Sequence, residues 1–158
     1  MDMRKIARLI AAVVLCQLAG IIGAIFTTQA IGTWYAELAR PEFAPPNWIF
    51  APVWTVLFLL MGIALFIVWE KYKAGAEAKP ALSIFGAQLA LNVLWSVLFF
   101  GLQSPALAFA EIILLWLAIA ATIALFYKIS KPAAGLMVPY ILWVSFAAFL
   151  NYSFWALN

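Results

Sequence analysis

Charged residues along this chain fall in clusters, and between the clusters the sequence stays apolar for about twenty residues at a time. Five such segments, about 6–28, 48–69, 81–102, 106–127 and 133–156, are each long enough to cross a hydrocarbon core, which takes roughly 20 residues at 1.5 Å rise apiece. In lipid only helices and closed barrels satisfy every backbone donor and acceptor. These runs are too long and alternate too little for barrel strands. The predicted fold class is therefore an all-α membrane protein, a bundle of five transmembrane helices. The connections are too short to build a second core, so residues 1–158 form one domain.

Within the apolar runs some positions form stripes at helical spacing. In the second segment Trp54, Phe58 and Met61 stand at i, i+4 and i+7. In the third Gln88, Asn92, Trp95, Ser96 and Phe99 share a face, and in the fifth Trp143, Phe146, Ala147, Leu150 and Asn151 do. Amides in hydrocarbon need partners, so Gln88, Asn92 and Asn151 are expected to point into the bundle. They serve there either as interhelical hydrogen bonds worth about 0.6–2 kcal/mol each or as polar fixing points in an aromatic-walled pocket; spacing alone favours neither. Cys16, Gly20 and Ala24 form a small-residue stripe suited to close helix packing. Those residues, or Gly86 and Ala90, can pack within one subunit or between two. As the only cysteine, Cys16 forms no internal disulfide.

Composition agrees, with 9% charged residues against about 25% in soluble domains. Eight of the nine basic residues (Arg4, Lys5, Arg8, Lys71, Lys73, Lys79, Lys128 and Lys131) fall on one side of the five spans, and only Arg40 on the other. The positive-inside rule then predicts a cytoplasmic N-terminus and an outer C-terminus. The net charge of +3 is a topology signal rather than a nucleic-acid footprint, which needs a clustered basic face. The first segment is longer than a signal-peptide core, and Val13-Val14-Leu15-Cys16 is not a lipidation pattern. Retention in a prokaryotic cell membrane is expected.

The chain has no histidine, so imidazole-ligated haem, His-rich zinc sites and histidine-activated nucleophiles are excluded. No metal site is expected. Asp2, Glu37, Glu42, Glu70 and Glu77 belong to ends and connections; Glu111 alone lies within a span, about a turn and a half beyond Pro105. Its carboxylate is expected to reach the outer headgroups or a bonded partner. The chemistry present is aromatic, with eight Trp, five Tyr and thirteen Phe. Trp69, Tyr72, Tyr127 and Trp155 fall near span ends, as interfacial aromatics do, and Trp116 is expected to face lipid. The connection Trp34 to Trp48 holds further rings and three prolines, which fix φ and resist helix. It is expected to fold down as a stiff cap over the outer mouth, the alternative being an interfacial anchor.

Four strings carry a resemblance across nearly the whole chain: Trp34-Tyr35-x-x-Leu38 with Arg40-Pro41; Pro45-Pro46-x-Trp48-x-Phe50-x-Pro52-x-Trp54-Thr55; Gln88-Leu89-x-Leu91-Asn92-x-x-Trp95-Ser96-x-x-Phe99-Phe100-Gly101; and Pro139-Tyr140-x-x-Trp143 with Leu150-Asn151. Together they resemble the translocator protein family, also called tryptophan-rich sensory protein or peripheral benzodiazepine receptor (TspO/MBR). The resemblance implies five helices enclosing a cavity that opens under the first loop, often in a homodimer. It implies binding of porphyrins such as protoporphyrin IX and, in many members, of sterols and isoquinoline or benzodiazepine ligands. No cofactor is required, the porphyrin being ligand or substrate.

Carried over by position, the pocket residues are Tyr35, Pro45, Trp54, Phe58, Asn92, Trp95, Ser96, Phe99, Trp143, Phe146 and Ala147. Trp54 and Trp143 match the tryptophans of members that degrade protoporphyrin under light. Arg40, the one basic side chain on the outer side, is the candidate partner for porphyrin propionates. The animal sterol pattern lacks its basic residue here, since Leu150-Asn151-Tyr152 runs to Asn158 without Lys or Arg. The expected function is a membrane tetrapyrrole receptor or sensor, the alternatives being a light-dependent porphyrin oxidase and a porphyrin or sterol transporter.

Overall fold

The computed structural model describes residues 2–158. Five long helices carry the chain: α1 (Met3–Ala30), α3 (Phe50–Lys73), α4 (Lys79–Ser96), α5 (Pro105–Ile129) and α6 (Lys131–Leu157). A four-residue helix, α2 (Trp34–Glu37), lies in the first connection; a single 3₁₀ turn (Asn47–Ile49) leads into α3, and α4 continues through a π turn (Val97–Gly101). Each of the five apolar runs thus forms one helix, two to four residues longer at most ends than hydropathy suggests, because its polar flanks continue the helix. All five are long and apolar enough to span a membrane.

Local chemistry sets the breaks. Ser104 accepts a hydrogen bond from the Leu107 N–H at the start of α5, and Ser130 does the same for Ala133 at the start of α6; each is followed by a proline in the first turn, where its missing N–H costs nothing. Gly75 (φ 97°) turns the chain between α3 and α4, and Gln103 (φ 52°) between α4 and α5. The last three connections are therefore too short for anything but antiparallel neighbours.

Packing closes the five helices into a ring in the order α1, α3, α6, α5, α4 and back to α1. α1 and α3 approach closely at Gly62, where a Cβ would stand 2.6 Å from the Val13 Cα. Arg8 and Glu70 pair across the same two helices at the basic end. That half of the ring is filled by apolar side chains, among them Met61, Val68, Phe85, Phe126 and Met137, all under 3% exposed. Toward the other end the ring is hollow. The expected interfacial position of Glu111 is not what the fold gives it. Glu111 shares the inward face of α5 with Ala108, Ile112 and Leu115, is 5% exposed, and neither carboxyl oxygen has a hydrogen-bond partner. Trp116 does lie partly exposed, but its indole N–H donates to Ser145 Oγ at 2.8 Å rather than resting free in lipid.

Candidate functional site

The hollow half of the ring holds a cavity of about 390 Å³, within the usual size of small-molecule sites. Every long helix contributes to its wall. From α3 come Trp54 and Phe58, their rings 5.5 Å apart. From α4 come Asn92, Trp95 and Ser96, with Phe99 of the π turn stacked on Trp95 at 5.0 Å and 23°. Trp143, Ala147, Leu150 and Asn151 of α6 complete that side. Tyr35, from the first connection, is buried against Phe99, Phe100 and Phe154 and borders the same space. No charged side chain lines the cavity among the described residues.

Three of the residues singled out from sequence lie off the wall. Phe146 packs between Trp143 (5.5 Å) and Phe43 (6.5 Å), at the edge of the 143, 147, 150, 151 stripe. Pro45 gives its carbonyl to Arg40 Nη2 at 3.0 Å. Arg40 itself also donates to Asn47 Oδ1 at 2.9 Å and lies 5.4 Å over the Tyr35 ring. It therefore braces the connection from outside, next to Asn47, which does border the cavity. Burial pushes the Tyr35 hydroxyl above its ordinary pKa, with Arg40 pulling the other way.

The amides take up both roles that spacing left open. Tyr140, fully buried, accepts from Asn92 Nδ2 at 2.8 Å and donates to Gln88 Oε1 at 2.9 Å. Asn151 accepts from Trp95 Nε1 at 2.9 Å and donates to the Pro105 carbonyl at 2.8 Å, tying α4, α5 and α6 together. Gln88 stays off the cavity, whereas Asn92 and Asn151 line it while bonded between helices. Trp143 Nε1 is buried with no partner.

The α1 wall was not singled out from sequence. Gly20, Gly23, Ala24, Thr27 and Thr28 all border the cavity, as do Ala51 and Thr55 on α3 and Ile112 and Leu115 on α5. The available signal was the small-residue stripe, read there as packing. Cys16, its first member, does sit fully buried in the core, while Gly20 and Ala24 thin the cavity wall.

Five membrane-spanning helices closed around an uncharged, ring-lined cavity define a multi-pass integral membrane protein with an internal chamber. The sequence profile of the TspO/MBR family matches residues 12–156. The chain is 42% identical to a tryptophan-rich protein TspO of Chlorobaculum tepidum over 98% of both chains. It is 38% identical to the translocator protein of Bos taurus over 89% of this chain and 84% of that one. With the tryptophan-rich sensory protein of Cereibacter sphaeroides it shares 38% over 86% and 85%. The chain belongs to the TspO/MBR family, a family of membrane receptors and sensors.

Proposed function

We propose that the cavity binds a free-base tetrapyrrole, protoporphyrin IX being the first ligand to test, and that the protein acts as its membrane receptor with the N-terminus cytoplasmic. The observation that carries this reading is the wall itself, with Trp54, Trp95, Trp143, Phe58, Phe99 and Tyr35 around one space and no charge among them. A flat π-system gains about 0.5–1.5 kcal/mol per ring contact beyond its area burial. No histidine is present to hold iron, so the free base suits the site better than haem. The propionates would lie at the outer end near Arg40, and the connection from Trp34 to Trp48 would cover the ligand.

A titration of the purified protein with protoporphyrin IX in the dark, followed by the porphyrin absorbance band, tests the reading. Saturable binding weakened by Trp54→Phe and Trp143→Phe but not by Trp116→Phe is expected. Unsaturable uptake, or equal loss in all three variants, would mean that porphyrin only partitions into the detergent. One observation favours a second reading: Trp54 and Trp143 border the same cavity, so both indoles would meet a bound porphyrin. Light-dependent oxidation of the ligand through them, with dioxygen as oxidant, would appear as new absorbing products on illumination that are lost in the Trp54→Phe variant.

A further inference from the structure

Most of the exposed residues of the cavity wall lie along its side, between α1 and α3. At the connection, Pro41 and Tyr35 are buried. Ala39 is tied at its N–H and its carbonyl to the Asn158 side chain, at 2.9 and 3.1 Å. Along the seam between α1 and α3 the pattern differs: of the wall residues there, Ile21, Ala24, Thr28, Ala51 and Thr55 are all exposed as well as bordering the cavity.

The register explains why. Val13 meets Gly62, Gln17 donates to the Thr55 carbonyl at 3.0 Å, and Gly20 meets Phe58. Continued toward the connection, this antiparallel pairing brings Ala24 opposite Ala51. At that level only two methyl groups stand between the helices, and both alanines are exposed. These exposed wall residues outline a window, with the Gln17 to Thr55 bond at one edge and the exposed Thr28 and Asn47 toward the other. Its outer face lies at a depth where α1 and α3 are otherwise clothed by Ile21, Ile22, Ile25 and Val56, all exposed, and therefore looks onto hydrocarbon.

We propose that this window is a lateral portal, through which a flat, largely apolar ligand passes between the outer half of the bilayer and the cavity without crossing water. The inference rests on the binding reading above for its ligand, and on the wall geometry alone for its route. A ligand that partitions into lipid is concentrated where the window opens. The polar edges at Gln17, Thr28 and Thr55 offer hydrogen bonds to its heteroatoms during passage.

The test is a reversible tether across the window. Ala24→Cys and Ala51→Cys are combined in the full chain, reconstituted in liposomes and bridged with a bis-methanethiosulfonate chosen by length, which a reductant removes. Wild type, whose Cys16 is fully buried, and each single variant are treated alike. Bridging before protoporphyrin IX is added should slow its uptake, and bridging after loading should slow its release, each by about tenfold or more. Reduction should restore both rates.

A small lipid-soluble nitroxide provides a probe independent of porphyrin. It should quench the cavity tryptophans in the open form and much less in the bridged one. Unchanged rates and unchanged quenching would overturn the portal and place the route under the first connection. If no form binds porphyrin while the bridge still shields the tryptophans from the nitroxide, the ligand assignment falls and the portal stands.

Discussion

Removal of one oxygen atom, in Tyr140→Phe, tests how the ring is held together. α4 and α6 are not neighbours in the ring, and the Tyr140 hydroxyl joins them across its interior, accepting from Asn92 Nδ2 at 2.8 Å and donating to Gln88 Oε1 at 2.9 Å. Tyr140 and Gln88 are both 0% exposed, so no water replaces the lost partner of Gln88, and Phe keeps the ring and opens almost no space. Side-chain hydrogen bonds between membrane helices are worth about 0.6–1.7 kcal/mol each. Two of them set the loss at about 1–3 kcal/mol, toward the upper end if both stranded amides stay unpaired. Reversible unfolding in mixed micelles by titration with sodium dodecyl sulfate, followed by circular dichroism, measures it. The control is Tyr127→Phe, an exposed residue without a side-chain hydrogen bond, which should shift stability by no more than about 0.5 kcal/mol. Combining Tyr140→Phe with Gln88→Leu should cost less than the sum of the two. A loss for Tyr140→Phe no larger than the control's, or strict additivity in the pair, would refute the bridging role.

The two close glycines should behave differently. Gly62→Ala forces a methyl group to 2.6 Å from the backbone of Val13 and should cost about 1–3 kcal/mol in the same assay, whereas Gly20→Ala meets only the edge of the Phe58 ring, also at 2.6 Å. That ring can swing into the cavity, so ligand affinity should fall while stability holds; the reverse ranking would contradict the wall geometry. Glu111→Leu removes two buried oxygens that bond to nothing and should raise stability by about 1–3 kcal/mol. A fall instead would mean that the carboxyl is engaged in the membrane-embedded protein. Arg40→Gln should weaken binding of protoporphyrin IX by about two- to fivefold, the range of an exposed ion pair, and leave its dimethyl ester unaffected. Equal loss for both would assign Arg40 to bracing Asn47 and the Pro45 carbonyl alone.

Hydropathy made the five helices legible, because a membrane span has to be both long and apolar and few other structures are. The stripes on α3 and α6 were legible for the same reason that a helix has a fixed period: Trp54 and Phe58, and Trp143 with Ala147, could not avoid sharing a face. Phe146 packs between Trp143 and Phe43, and the approach of Phe43 from the first connection is something helical spacing does not encode. The π turn at Val97–Gly101 carries no sequence mark, since one extra residue in a helical turn needs no special residue type. Small residues were the hardest to read. Gly20 and Ala24 look alike whether they admit a neighbouring backbone or leave a hole, and the difference lies in whether the facing residue is Phe58 or Ala51. Glu111 was placed by its distance from the helix end, but the side of α5 on which it falls mattered more than its depth.

The contact of Gly62 with Val13 has a mechanical meaning as well. It is a point where the two backbones meet without an intervening side chain, and from Val13 the first helix runs about 27 Å to Ile31 at 1.5 Å per residue. A tilt of about 5° about that point displaces the far end by about 2 Å, half the width of an aliphatic side chain. α1 is thus a long arm on a short fulcrum, and the volume beside Trp54 follows an angle set at Gly62, about two helical turns away.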